Sequence, residues 1–415
     1  MTNSVAHSSP SFLGLGISSQ ILAVLDRLHF KVPTPIQQQS IPAGLEGKDI
    51  IGIAQTGTGK TLAFAIPMIQ RLQAMPGRGL VLIPTRELAL QVEETVRKVG
   101  GSLGMTTAVL IGGESMYRQV EAVRRRPRII VATPGRLLDH LQQGIVKLDE
   151  TKILALDEAD RMLDMGFAPQ INQILKRVPR DRQTLLYSAT MPKEIVQIAA
   201  AHMKLPVRVE VAPSGTASET VEQEIIIVSK DSKRALLEAV LREELGTALV
   251  FSRTKHGAKD ICYRLNQSGF RAAEIHSNRS QGQRREALEG FKRGKYKILV
   301  ATDIAARGID VTDIGVVINY DLPNTSSDYV HRIGRTGRAG REGKAISFAT
   351  PDQKGNILEI ERMIRKNLKI VAKHPMAQPA FQRPAVPFNR NQPRRNDSHR
   401  RPFPRANPRL SFRNR

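Results

Sequence analysis

Short β-branched runs alternate with amphipathic helical stretches over most of this chain, and that alternation restricts the fold more than any other feature. "GLVLIPT" (79–85), "RIIVATP" (128–134) and "KILALDE" (152–158) lie in the first half. "TALVFSRT" (247–254), "YKILVATD" (296–303) and "GVVINYD" (315–321) lie in the second. Each run fits one strand buried on both faces, and helices between such strands predict parallel sheets. The halves also echo each other. Thr85 and Thr254 end similar runs 169 residues apart, and so do Thr133 and Thr302. Equal spacing predicts a duplicated α/β domain, and 415 residues suit two cores better than one.

Composition places the boundaries. Residues 1–11 read as a flexible N-terminus, 12–208 as the first domain and 222–370 as the second. "VEVAPSGTASETV" (209–221) reads as a linker, being rich in Ser, Thr, Gly and Pro. In 371–415, Lys373 and ten arginines stand against Asp397 alone, proline is frequent and no apolar period survives. Such a tail cannot bury enough surface to offset its ordering entropy and is expected to be disordered. "RRRPR" (124–128) reads as a solvated face.

The formal charge is +24, which points to a polyanion partner: lysine and arginine that replace condensed counterions on phosphates gain free energy. Cys262 is the sole cysteine, so neither an internal disulfide nor a cysteine-based zinc site is expected, as suits a reducing compartment. The start "MTNSVAHSSPSF" lacks the basic and apolar regions of a signal peptide. Apolar stretches such as "LAFAIPMI" fall short of the roughly 20 residues of a membrane helix. A cytoplasmic protein with no membrane association is expected.

Two motifs carry the chemistry. "IIGIAQTGTGKTLAF" (50–64) sets a strand, a Gly-rich loop and a helix in order. The phosphate-loop pattern spans Ala54, Gln55, Thr56, Gly57, Thr58, Gly59, Lys60 and Thr61, with Ala54 where the general pattern has glycine. Gly57 and Gly59 let backbone N–H groups face phosphate oxygens, and the helix adds its positive end. Lys60 is expected at the β- and γ-phosphates, and Thr61 on Mg²⁺. "LALDEAD" (154–160) supplies the acid half. Asp157 is expected to hold Mg²⁺ through water, and Glu158 to orient the attacking water and accept its proton. Adjacent buried carboxylates are costly without a cation to serve.

With "DEAD" itself at Asp157–Asp160, the chain resembles the DEAD-box RNA helicases from Phe12 to about Lys369, in the family's motif order. The resemblance implies two tandem RecA-like domains, ATP and Mg²⁺ as cofactors, and RNA as partner with little sequence specificity. "FKVPTPIQ" (30–37) resembles the Q motif, implying that Gln37 reads adenine, Phe30 stacks on it and Thr34 joins the ATP site. "PTREL" (84–88), "GG" (112–113) and "TPGR" (133–136) imply RNA contacts from Pro84, Thr85, Arg86, Gly113, Thr133, Gly135 and Arg136. In the second half, "VFSRT" (250–254), "SQGQR" (280–284) and "ATDIAARGID" (301–310) imply RNA or coupling contacts from Arg253, Thr302 and Arg307, and a ribose partner in Asp310. "HRIGRTGR" (331–338) implies arginine fingers at Arg335 and Arg338. "SAT" (188–190) implies coupling through Ser188 and Thr190, with Asp160 and His331 in the same role.

The second half has no phosphate loop, so one ATP is expected between the halves. ATP and RNA together would close them, bend the bound strand and locally open a short duplex without processive travel. The short N-terminus and Arg-rich tail resemble the bacterial RhlE-like group, linked with RNA decay and ribosome assembly. The tail's arginines and four phenylalanines suit non-specific RNA attachment. The rival readings are a DNA helicase or translocase of the same superfamily 2, and a non-catalytic RNA clamp. The latter predicts a substituted Lys60, Glu158 or Arg335, and all three are present.

Overall fold

The computed structural model describes residues 11–55, 57–211, 221–244, 246–306, 314–337 and 342–371. The first sheet consists of β1 (Ile50–Ile53), β2 (Arg78–Leu82), β3 (Thr107–Leu110), β4 (Ile129–Ala132), β5 (Thr151–Leu156), β6 (Gln183–Ser188) and β7 (Val207–Glu210). The second consists of β8 (Val221–Ile227), β9 (Ala248–Phe251), β10 (Ala272–Ile275), β11 (Ile298–Ala301), β12 (Val316–Asn319), β13 (Gly343–Ala349) and β14 (Lys369–Ile370). Strand order is β3-β4-β2-β5-β6-β1-β7 in one and β10-β11-β9-β12-β13-β8-β14 in the other. Advancing every number by seven converts the first order into the second. The echo read from the two threonine pairs is therefore a repeated topology: Thr85 and Thr254 follow β2 and β9, and Thr133 and Thr302 follow β4 and β11.

Every strand pairing is parallel, so helices must cross over between strands and cover both faces. Strand side chains alternate between two cores. In the first domain Val81, Val131, Ile153, Ala155 and Leu185 face the layer holding Phe64, Ile66 and Met68 of the Lys60–Ala74 helix. Leu80, Leu82, Ile130, Leu154, Leu156 and Leu186 face Leu137, Met162, Ile171 and Ile174. Burial on both faces is why these strands read as unbroken apolar runs.

Three boundaries shift from the compositional reading. Val209 and Glu210 belong to β7, hydrogen-bonded beside β1, and Val221 opens β8. The Val371 amide donates to the Ile225 carbonyl at 2.8 Å, extending the β14 edge by one residue. Backbone pairing settles all three, and composition carries no signal of it. The expectations for 1–10, the linker centre and the Arg-rich tail lie outside the described residues. The solvated reading of 124–128 holds for Arg124, Arg125 and Arg126 and fails for Arg128. The Arg128 guanidinium is half-buried and donates to the carbonyls of Leu72 and Met75, satisfying the C-terminal end of the Lys60–Ala74 helix. Among the described residues no helix is long and apolar enough to cross a membrane.

Candidate nucleotide and nucleic-acid site

The Gly-rich loop leaves β1 at the sheet's carboxyl edge, where ligands of parallel sheets bind. The Ala54 amide donates to the Ser188 carbonyl at 3.0 Å, fixing the loop's start against β6. Gly59 caps the Lys60–Ala74 helix with φ of 87°. The left-handed backbone there favours glycine, and a Cβ would press on the Gln37 amide. Lys60 is buried, and its Nζ donates to the Ala54 carbonyl at 2.7 Å, holding the ammonium within the loop. The Thr58 hydroxyl donates to the Gln55 carbonyl at 2.7 Å, and Thr61 lies half-buried in the helix's first turn. Gln37 joins the Q-motif segment to the cradle: Nε2 donates to the Gly59 carbonyl at 3.0 Å, and Oε1 accepts from the Thr34 amide at 2.9 Å. Phe30 presents an exposed ring nearby in sequence.

β5 delivers the carboxylates. The Asp157 amide donates to the Leu82 carbonyl, continuing the ladder past the strand's end. Glu158 then turns into the left-handed region, φ 50° and ψ 50°, and starts the Ala159–Asp164 helix. The strained residue is the one that must aim a carboxylate out of the sheet edge. Burial raises the Asp157 pKa to about 6; Lys60 opposes the rise and Glu158 adds to it. Burial acts on Glu158 in the same sense. There Arg161, Lys60 and Arg335 together outweigh it and bring the pKa down to about 2. Arg161, almost fully buried, ion-pairs directly with Glu158.

Asp160 ties this edge to the "SAT" segment. Its Oδ2 accepts from the Ala189 amide at 3.1 Å, the Thr190 amide at 2.8 Å and the Thr190 hydroxyl at 2.9 Å. Its own amide donates to the Ser188 hydroxyl at 3.2 Å. The second domain enters through the Ser326–Ile333 helix. His331 is buried, and burial lowers its pKa to about 4; Arg161 and Arg335 push the same way, while Asp160 and Glu158 oppose. Arg335 is likewise buried and adds its charge to the field at Glu158. Ser188, Thr190, Asp160, Glu158, His331 and Arg335 thus converge on one seam between the two sheets.

Along the same edge is a cleft of about 440 Å³, lined by Pro84, Thr85, Arg86, Thr133, Gly135 and Arg136 of the first domain with Ser277 and Arg284 of the second. Thr85 caps the Arg86–Gly100 helix, its hydroxyl accepting from the Leu88 amide at 3.4 Å. Gly113 has φ of 77°, and a Cβ on it would meet the Arg86 guanidinium at 2.0 Å. Arg136 Nη1 donates to the Glu114 carbonyl at 3.2 Å, fastening the two loops together. Arg253 and Thr302 do not line this cleft; they follow β9 and β11 at the carboxyl edge of the second sheet. Thr56, Arg307, Asp310 and Arg338 lie outside the described residues.

Four residues of the site were not assigned from sequence. Arg161 follows "DEAD" directly, and nothing in the sequence points it at Glu158. Glu87 and Arg284 sit inside quoted motifs, yet their 2.9 Å ion pair joins residues almost two hundred positions apart. Arg332, next to His331, donates to both oxygens of Asp303 at 2.6 and 2.7 Å and lies 4.9 Å over the Phe251 ring. An arginine flanked by expected site residues is the one signal that was available.

Comparison with known proteins places the chain in a family. Residues 34–198 match the DEAD/DEAH box helicase family, and residues 231–340 match the helicase conserved C-terminal domain. The chain is 44% identical to the ATP-dependent rRNA helicase RRP3 of Eremothecium gossypii, over 86% of this chain and 75% of that one. It is 41% identical to the DEAD-box ATP-dependent RNA helicase CshA of Geobacillus kaustophilus, over 86% and 78%. The structure of Saccharomyces cerevisiae Dbp5 bound to RNA and ADP BeF3 is similar, with a TM-score of 0.79 at 30% identity, covering 87% of this chain and 95% of that one. A phosphate loop and paired acids on one RecA-like sheet, facing a buried histidine and arginine from a second sheet of the same order, therefore have a known setting: the chain belongs to the DEAD-box helicase family.

Proposed function

We propose that the chain is an ATP-dependent RNA helicase that hydrolyses ATP at the seam between its two sheets and opens short RNA duplexes locally. The observation that carries this reading is the joint field at Glu158: Lys60 and Arg161 act from the first sheet, and Arg335 from the second. Neither sheet alone assembles that set.

The residues divide the work. Gln37 and Phe30 take the adenine, the Gly57–Lys60 backbone and Lys60 Nζ take the phosphates, and Arg335 meets charge developing on the γ-phosphate. Asp157 and Thr61 suit a Mg²⁺ ion carried in with the nucleotide. A buried carboxylate with its pKa raised to about 6 gains from an added cation. Among the described residues no group of three or more His, Cys, Asp and Glu could hold a metal, which fits an ion bound largely by phosphate and water. That ion would neutralise phosphate charge.

Glu158 is ionised at neutral pH and orients the attacking water. While three cations hold it near 2 it is a weak base. A bound γ-phosphate draws Lys60 and Arg335 toward itself, leaving Arg161 as the main restraint, and Glu158 becomes basic enough to accept the proton. The Asp160–Thr190 bonds and His331 link this chemistry to the domain closure that shapes the cleft at Thr85, Thr133 and Arg136. Threonine hydroxyls, guanidinium groups and loop amides suit RNA phosphates more than base edges. Ribosomal RNA is the substrate that the name of the RRP3 relative suggests. The Arg-rich composition of residues 371–415 supports the finer likeness to the bacterial RhlE-like group.

RNA-stimulated ATP hydrolysis by the full chain tests the reading, with matched RNA and DNA oligomers. Strong stimulation by RNA and little by DNA is expected. Equal stimulation by DNA favours the translocase, and hydrolysis by residues 1–210 alone at the full RNA-stimulated rate would refute the shared site.

A further inference from the structure

Lys60 and Lys233 occupy the same topological position. Each is the first residue of the helix that follows the equivalent strand, β1 or β8. Their acidic counterparts correspond as well. Asp157 and Glu158 follow β5, and Tyr320 and Asp321 follow β12, which takes the place of β5 in the second sheet. The connecting loop differs: "AQTGTG" precedes Lys60 and the glycine-free "VSKDS" precedes Lys233. Without glycines the second loop cannot present a row of amides to a phosphate.

The second lysine and acid are bonded to each other. Lys233 Nζ donates to Asp321 Oδ1 at 3.2 Å and to the Tyr320 carbonyl at 2.7 Å, with the lysine side chain 7% exposed. Asp321 then reaches two further segments. Its Oδ2 accepts from the Arg253 amide at 3.0 Å, after β9. Its carbonyl accepts from Arg332 Nη1 at 2.6 Å, on the helix that carries His331 and leads to Arg335. The same guanidinium grips Asp303, the residue after Thr302. Residue 321 therefore joins the loop bearing Arg253 through its carboxylate and the helix leading to the arginine finger through its main-chain carbonyl, and Arg332 carries the link on to Asp303 beside Thr302.

We infer that Asp321, locked by Lys233, is a positioning residue that couples the second domain's RNA-facing loops to the placement of Arg335. The Lys–Asp pair stands where the first domain keeps its lysine and acids for a nucleotide. Here the same two positions hold protein to protein. Displacing Asp321 frees the Arg253 amide and loosens the Arg332 anchor, so RNA binding no longer sets the finger. The inference rests on the helicase reading above.

The test compares the full-length wild type with Asp321→Leu and the paired Lys233→Met/Asp321→Leu variant, in which the side chain no longer accepts from the Arg253 amide. The pair removes both charges, so it leaves no uncompensated buried ion and guards against simple unfolding. The expected result for both variants is a fall of about tenfold or more in kcat of RNA-stimulated ATPase. KM for ATP stays within about twofold, because the nucleotide cradle belongs to the first sheet. The paired variant melts near the wild-type temperature yet keeps the low kcat, which a merely structural role does not predict. A paired variant with kcat within about twofold of wild type overturns the inference. So does a loss of kcat matched by an equal loss of ATP affinity. Wild-type protein lacking RNA-stimulated ATPase would instead sink the helicase reading, a distinct outcome.

Discussion

The two sheets share a strand order and differ in what stands at their carboxyl edges. In the first, Lys60 is held by a neutral carbonyl, and Asp157 stays buried with its pKa raised to about 6. In the second, Lys233 is closed onto Asp321. One edge is left electrostatically incomplete, and the other is satisfied within the protein. The contrast teaches that topology alone does not make a nucleotide site. A site needs a glycine loop that frees backbone amides, and charges that the fold has not already neutralised. On the proposed reading the unfinished edge binds, and the finished one supports.

The contrast can be broken most severely by removing what the second domain lends to the first. Arg335→Ala is expected to lower kcat of RNA-stimulated ATPase by on the order of a thousandfold or more, with nucleotide binding largely kept. Retained turnover would mean that the field at Glu158 is not shared. Next in size, Lys60→Ala is expected to reduce kcat/KM for ATP by about a hundredfold to a thousandfold. Lys233→Met in the same assay should leave KM for ATP within about twofold. Similar losses of ATP affinity in both variants would erase the distinction between the edges.

A smaller effect sharpens it through pH. The folded pKa of Asp157 lies above its ordinary 3.8, so folding favours its protonated form. The stability this gives is complete below about 3.8 and is lost as pH rises through about 6. Glu158 has the opposite sign: its contribution is present above 4.5 and is lost as pH falls toward 2. Asp157→Asn should therefore stabilise the nucleotide-free protein at pH 7.5, by on the order of 3 kcal/mol at most, while abolishing hydrolysis. Thermal melts at pH 5 and 7.5 check this: the gap between wild type and variant should narrow to roughly half at the lower pH, and it closes only below about 3.8. A destabilised variant at pH 7.5 would show that the Asp157 carboxylate is already compensated. The smallest effect belongs to the surface. Lys98→Ala breaks a pair with Glu94 whose side chains are both more than half exposed, and it should change stability by no more than about 0.5 kcal/mol in a denaturant melt.

Much of this was legible in order along the chain. Loop, strand and helix are local, so "AQTGTGKT" disclosed a cradle, and equal spacing of Thr85–Thr133 and Thr254–Thr302 disclosed the repeat. Arg128 was misjudged because its neighbours are exposed and its acceptors, the Leu72 and Met75 carbonyls, are more than fifty residues away. The linker edges were misplaced because strand membership at 209–210 depends on pairing with β1.

By itself the sequence determined the parallel α/β class, the duplication, the phosphate loop and the acids, since each is written in contiguous residues with a fixed period or spacing. Only the tertiary structure decided which charges meet. Arg161 turns onto Glu158, Arg284 crosses to Glu87, and Lys233 closes on Asp321. Partner choice among many arginines and lysines depends on burial and distance in three dimensions, and neither is encoded by neighbourhood along the chain.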